Sequence, residues 1–244
     1  MTVDSAMRRR FEAAEKIRVG DTALRRPAVR VSEGSLRAHF DREAASARSE
    51  LLNPHVEPRI TEEQRARAVP AAVLMAIVLR ELEPTVLVTR RHEGISFPGH
   101  WVFPGGRADA EDATPLDTAV REAEEEIGLD PERVEVLGRL GDYVSHSGFR
   151  IAPTIALVRP PFELTPHPGE VDAIAEIALS RVLDSASYFL YRFPERPDRA
   201  HFALDVDAES TGEGVVLTGV TVSLCIGLYG SLLATHEPGA SGRS

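Results

Sequence analysis

The segment 114–128, TPLDTAVREAEEEIG, fixes a helix at both of its ends. Thr114 offers an N-capping hydroxyl, Pro115 suits the first helical position, and Asp117 completes a capping-box-like pattern. Each of these satisfies or removes a backbone N–H that a first turn leaves without an intrahelical partner. Gly128 is a natural stop, because glycine enters the left-handed region without the usual steric cost. The spacing therefore predicts a helix over residues 115–127.

Laid out at about 100° per residue, Leu116, Ala119, Val120, Ala123 and Ile127 form one apolar stripe, the expected buried face. Measured from Leu116, Glu125 falls at about 180°, Glu122 at about 240° and Glu126 at about 280°, so the three share one flank. Glu124 lies at about 80°, on the other side of the stripe, and reads as plain surface. Like charges so close repel one another. Two readings explain them: a solvated Glu-rich face, or hard oxygen donors gathered for a divalent cation such as Mg²⁺ or Mn²⁺. The preceding FPGGRADAED (103–112) bears on the choice, since Gly105 and Gly106 let backbone turn tightly and approach a ligand, although a simple turn would also use them.

Elsewhere the chain mixes strand and helix patterns without regular alternation. VPAAVLMAIVLR (69–80) and PTVLVTR (84–90) read as two strands joined by a tight turn, and ERVEVLGRL, RIAPTIALVRP and VDAIAEIALS read as further strands. LSRVLD suggests a short helix, YFLYRF with AHFALDVD a late hairpin, and residues 215–234 an apolar helix. The expected class is α+β, a mixed sheet sandwiched between helices. Residues 1–60 read as a helical or partly disordered extension, 61–236 as the principal domain, and 237–244 as a disordered tail; Asn53–Arg67, with Pro54 and Pro58, reads as a linker.

The formal net charge of −10 argues against a nucleic-acid surface, although residues 1–60 alone carry 12 Lys and Arg against 9 Asp and Glu. One cysteine, Cys225, excludes an internal disulfide framework and fits a reducing compartment. No secretory apolar run opens the sequence, so the expectation is cytoplasmic. The uncharged segment 214–235 passes the length of a membrane span, but its four glycines and lack of flanking Lys or Arg favour a buried core helix over an anchor.

These residues resemble the Nudix hydrolase signature, G-x5-E-x7-R-E-U-x-E-E-x-G-U, where U is a bulky apolar residue. Arg121, Glu122, Glu125, Glu126, Gly128 and Leu129 match its second half. In the first half Asp112 replaces Glu, and eight residues rather than seven separate it from Arg121. That variation is similar to the coenzyme A diphosphatase branch, as is the upstream VLVTRRHEGISFPGHWVFPGG with Thr89, Arg90 and Gly99 ahead of Phe103-Pro104-Gly105-Gly106. Gly94, Ile95 and Phe97 depart from that branch, and His100 replaces a common Gln.

The resemblance implies hydrolysis of a pyrophosphate bond with Mg²⁺ or Mn²⁺. Glu122, Glu125 and Glu126 would be metal ligands, with the Gly105 carbonyl. Arg121 would orient the cluster or pair with Asp112, Gly128 would close the helix, and Glu170 in PHPGEV would act as base or extra ligand. Arg90, Arg91 and Gly106 would meet the substrate. For the branch, that substrate is coenzyme A or a thioester, cut to 3′,5′-ADP and 4′-phosphopantetheine. NADH, ADP-ribose or a nucleotide sugar, or a nucleotide-binding domain without turnover, remain alternatives. His92-Glu93 does not open an H-E-x-x-H zinc site, because Ser96 stands where the second histidine belongs. Ser145, His146 and Ser147 lack a G-x-S-x-G elbow and read as a loop near the substrate.

Overall fold

Ten residues of almost unbroken apolar character, Val69–Val78, must be covered on both faces, and the rest of the molecule is arranged to do so. The computed structural model describes residues 11–43, 60–195, 200–206 and 214–236. In chain order the elements are β1 (Glu15–Arg18), α1 (Glu33–Glu43), α2 (Glu62–Arg67), β2 (Val69–Val78), β3 (Thr85–Arg91), β4 (Trp101–Val102), β5 (Gly105–Arg107), α3 (Pro115–Ile127) and β6 (Val134–Arg139). There follow β7 (Tyr143–Val144), β8 (Phe149–Val158), β9 (Val171–Ala178), α4 (Leu179–Val182), β10 (Tyr188–Arg192), β11 (Ala200–Val206), β12 (Val215–Thr218) and α5 (Gly219–His236).

The larger sheet runs β4-β3-β2-β8-β6, with β5 also on β2, β7 on β8 and β9 on β3. Its centre is a parallel pair, β2 with β8, in register from Val69↔Phe149 to Val78↔Val158; its other pairings are antiparallel. Alternation along β2 sends Ala72, Leu74, Ala76 and Val78 to one face, where Ala119, Ala123 and Ile127 of α3 meet them together with Ala152 and Ala156. The alanines let helix and sheet approach closely, and burying a side chain such as Ile127 contributes about 1.5–3 kcal/mol. Met75 and Ile77 face the opposite side, into a core shared with Leu36 and Phe40 of α1 and with Leu224, Leu228 and Leu232 of α5. The sheet therefore lies between helices, and the α+β expectation holds.

A second sheet, ordered β1-β10-β11-β12, is wholly antiparallel. Its first strand lies within residues 1–60, expected to be a helical or partly disordered extension. β1 carries the charged sequence EKIR and pairs with β10, while α1 packs into the core, so these described parts of the segment are built into the fold. The Tyr229 hydroxyl donates to the Pro27 carbonyl at 2.7 Å. The ring nitrogens of buried His39 lie 2.8 Å from Ser231 Oγ and 3.2 Å from Thr235 Oγ1.

Two other expectations change. Residues 62–67, read as linker, form α2 behind a Thr61–Gln64 capping box. Residues 215–218, read as the start of the apolar helix, form β12, and the helix begins only at Gly219 with φ of 56°. Among the described residues no helix is long and apolar enough to cross a membrane. Residues 53–59 of the expected linker and the tail 237–244 lie outside the described residues.

Candidate active site

The site is built where β5 passes under α3. The Leu74 N–H donates to the Pro104 carbonyl at 2.8 Å, which seats FPGG against β2. Gly105 has φ of 153°, and a Cβ there would lie 2.3 Å from the Ala72 carbonyl oxygen. A Cβ on Gly106 would lie 2.4 Å from Glu122 Oε1. Only a glycine pair leaves room for the β2 backbone on one side and the Glu122 carboxylate on the other.

Helix α3 is capped as its sequence demands. Thr114 accepts from the Asp117 N–H, the Asp117 carboxylate accepts from the Thr114 N–H, and Gly128 ends the helix at φ of 67°. Its facing differs from the helical-wheel expectation. Leu116 and Val120 are only half-buried, whereas Thr118 and Glu126 are buried. The side-chain-free strip of Gly105 and Gly106 turns that flank into interior.

Glu126, 5% exposed, accepts the Gly105 N–H through Oε2 at 3.2 Å. Burial, reinforced by the nearby charges of Glu122 and Glu170, pushes its carboxyl up to about 7 against the pull of the Gly105 N–H and Arg91. Glu122 is half-buried and raised as well, first by burial and then by Glu125 and Glu170, with Arg121 opposing. Glu125 departs from the grouping. Its side chain is 58% exposed and turned to Arg121 Nη1 at 3.0 Å.

Arg121 is the hub. Its Nη1 also donates to Glu122 at 3.0 Å, its Nε and Nη2 grip the two oxygens of Asp112 at 3.1 and 2.9 Å, and Nη2 reaches the Arg107 carbonyl at 3.1 Å. The fork geometry of guanidinium suits such two-oxygen pairing. Asp112 is held well below the usual carboxylate range, chiefly by Arg121 and then by the Asp109 N–H. The Asp that replaces the signature Glu thus ties the loop to the helix despite the extra residue.

The opposite wall comes from β3 and the loop before β9. Thr165 and His167 donate backbone N–H groups to the Ile127 and Glu126 carbonyls at 2.9 and 2.8 Å, using acceptors that the helix end leaves free. This draws Glu170, within 3.6 Å of His167, toward the cluster. The register of β3 against β9 shifts between Arg90 and Arg91, which pair with Ala173 and Val171. Such a bulge re-aims side chains. Arg91 lies on the carboxylate side, its charge felt at Glu126, whereas Arg90 packs over the Trp101 ring at 5.6 Å, on the opposite face. Arg90 is therefore not brought to the carboxylates.

One pairing escaped the sequence reading. His92, set aside there, has its Nδ1 2.6 Å from Asp172 Oδ1, and its N–H donates to the Glu170 carbonyl. Their 80-residue separation gave no local signal. The Ser145 and Ser147 hydroxyls, 2.9 Å apart, sit in the tight turn between β7 and β8, where the Ser145 hydroxyl accepts the Phe149 N–H.

Among the described residues no three His, Cys, Asp or Glu side chains are closed around a common point that would hold a metal ion. The donor chemistry nonetheless suits a hard cation. Glu126 is buried, Glu122 is half-buried, and the charge of Glu122 raises the proton affinity of Glu126.

The NUDIX domain family pattern matches residues 69–200, more than half of the chain. The protein named uncharacterized Nudix hydrolase NudL of Photorhabdus laumondii is 38% identical over 142 residues, 58% of this chain and 73% of that relative. Its namesake from Yersinia enterocolitica is 43% identical over 122 residues, 49% of this chain and 61% of the relative, so somewhat under two thirds of that protein is spanned. Among solved structures, the Nudix hydrolase RenU of M. smegmatis shares 24% identity with a TM-score of 0.42, over 47% of this chain and 73% of that one. With its signature helix, glycine pair and sheet in place, the chain belongs to the Nudix family and is a Nudix hydrolase.

Proposed function

We propose that this hydrolase is a divalent-metal-dependent diphosphatase whose substrate is coenzyme A or one of its thioesters, cut to 3′,5′-ADP and 4′-phosphopantetheine or its acyl derivative. The observation that carries the metal dependence is Glu126: a carboxylate buried on the Gly105 N–H beside a second half-buried carboxylate, an arrangement that excess positive charge would relieve. The observation behind coenzyme A is the branch-like pairing of Asp112 with Arg121 across the lengthened spacer.

Glu122 and Glu126, with Glu125 once it leaves Arg121 and with the Gly105 carbonyl, would hold Mg²⁺ or Mn²⁺. Bound there, the ion would supply charge neutralisation at the phosphate oxygens and a more acidic water. The chain's own groups do the rest. Arg91 meets phosphate oxygens on the carboxylate side of the sheet, and Gly106 keeps the backbone clear for them. Glu170 takes the proton from the attacking water. Arg121 keeps loop and helix in register, so the carboxylates are placed before substrate arrives. A cytoplasmic setting accords with the one buried thiol, Cys225.

A second reading, another nucleoside diphosphate derivative, is favoured by Gly94, Ile95 and Phe97 where the branch pattern differs. Hydrolysis of CoA, an acyl-CoA, NADH and ADP-ribose with Mg²⁺ or Mn²⁺, with products identified by mass, separates the two. The expected result is cleavage of CoA or its thioester above the others, abolished by chelation. Equal turnover after exhaustive chelation would overturn the metal assignment, and preference for NADH or ADP-ribose the substrate.

A further inference from the structure

The loop between β3 and β4 is pinned by its backbone. The Gly99 N–H donates to the Arg91 carbonyl at 2.9 Å, the Arg91 N–H to the His100 carbonyl at 3.0 Å, and the His92 N–H to the Glu170 carbonyl at 2.9 Å. Arg91 Nε donates to the Ser96 carbonyl at 2.8 Å. The loop is thus fastened to the two residues that wall the carboxylate cluster opposite α3.

At its tip stands Phe97. Its φ is 57°, a left-handed conformation uncommon for any side chain but glycine and an outlier for a bulky one. The residue is 57% exposed, the only aromatic among the exposed large apolar residues of the described chain. The ring meets His100 edge to face, centroids 6.0 Å apart. The fold gains little from this residue, since the backbone conformation is unfavourable and the apolar surface stays wet. Strain that surrounding structure holds in place beside a site points to a use there.

We propose that the Phe97 ring is the stacking surface for the substrate's purine base, and so determines preference for a base-bearing diphosphate. A flat, wet aromatic face suits any base, because stacking needs no hydrogen-bond complementarity. Ser96, the residue next to it, holds the Arg91 guanidinium, so the ring and the phosphate-facing charge are set at a fixed spacing. This inference rests on the reading of the site as one for a nucleoside diphosphate derivative.

The test is steady-state kinetics of wild type, Phe97→Ala and Phe97→Trp on the best-cleaved nucleotide and on its analogue with hydrogen in place of the base. Phe97→Ala is expected to raise KM about tenfold on the base-bearing substrate, the size of one base–aromatic contact, with kcat within about twofold. Phe97→Trp restores KM, and the base-lacking analogue shows no difference between the three. An unchanged KM in Phe97→Ala, or the same rise on the base-lacking analogue, overturns the assignment while leaving the hydrolase reading intact. If wild type cleaves none of the nucleotides, that reading fails, and stacking is judged on affinity for 3′,5′-ADP. An about tenfold weaker grip in Phe97→Ala sustains it; equal or absent binding ends it.

Discussion

Replacing Glu126 by Gln should inactivate the enzyme and stabilise the metal-free protein. The two effects share one cause. Burial raises the carboxyl from 4.5 to about 7, so the folded chain holds a proton that the unfolded chain gives up between those values. Stability must therefore fall as pH rises through that window and level off above it. The gap corresponds to about 3 kcal/mol against the folded state at pH 8. Gln keeps an acceptor for the Gly105 N–H, and the pull of that bond on the charge is already contained in the raised value. The net gain is therefore about 3 kcal/mol, or about 6–12 °C in Tm for a chain of this length. Thermal unfolding in chelator at pH 5 and pH 8 measures it. Glu126→Gln should melt well above wild type at pH 8 and close to it at pH 5, with Mg²⁺ raising the Tm of wild type alone. Equal melting at pH 8, or an advantage of the same size at pH 5, would refute the claim that a buried charge is what this position carries.

Glu124→Gln should leave kcat/KM within about twofold, because the side chain is exposed on the other side of α3 and exposed changes of this kind are near neutral; damage like that of Glu126→Gln would show the helix facing to be wrong. Gly106→Ala should lower kcat/KM by about 100-fold with little change in Tm, since the new methyl displaces only the tip of Glu122. Gly105→Ala meets the Ala72 backbone instead and should cost at least about 3 kcal/mol, read by denaturant unfolding. Arg121→Lys loses the fork that holds Asp112 and should cost about 10–100-fold in activity and raise the Mg²⁺ needed for half-maximal rate; unchanged metal dependence would rule out a positioning role.

What the sequence disclosed was local. Both ends of α3 were legible because Thr114, Asp117 and Gly128 act within one turn of themselves. The burial of Glu126 was not, since it depends on backbone 21 residues away whose lack of side chains opens the space. Strand β1 was hidden for a similar reason. EKIR is charged and lies at a sheet edge, and the pairing that orders it comes from β10. From Val215 the run VVLTGVTV carries no charge and gives neither a clear period of 2 nor one of 3.6, and the break is marked by Gly219. Helix α2 carried its own sign, Thr61 with Gln64, which the prolines before it outweighed in the reading. The pairing of His92 with Asp172 needed the tertiary fold to be seen at all.

The contacts that the first described segment makes with β10 and α5 have a consequence for how the chain folds. Pro27 waits for Tyr229, His39 for Ser231 and Thr235, and Glu15–Arg18 for Arg192 and its neighbours. Each partnership spans roughly 170–200 positions, far more than the turn that joins β2 to β3. Closing so long a loop carries the larger entropic cost, so these contacts are expected to form after the β2–β3 hairpin rather than with it.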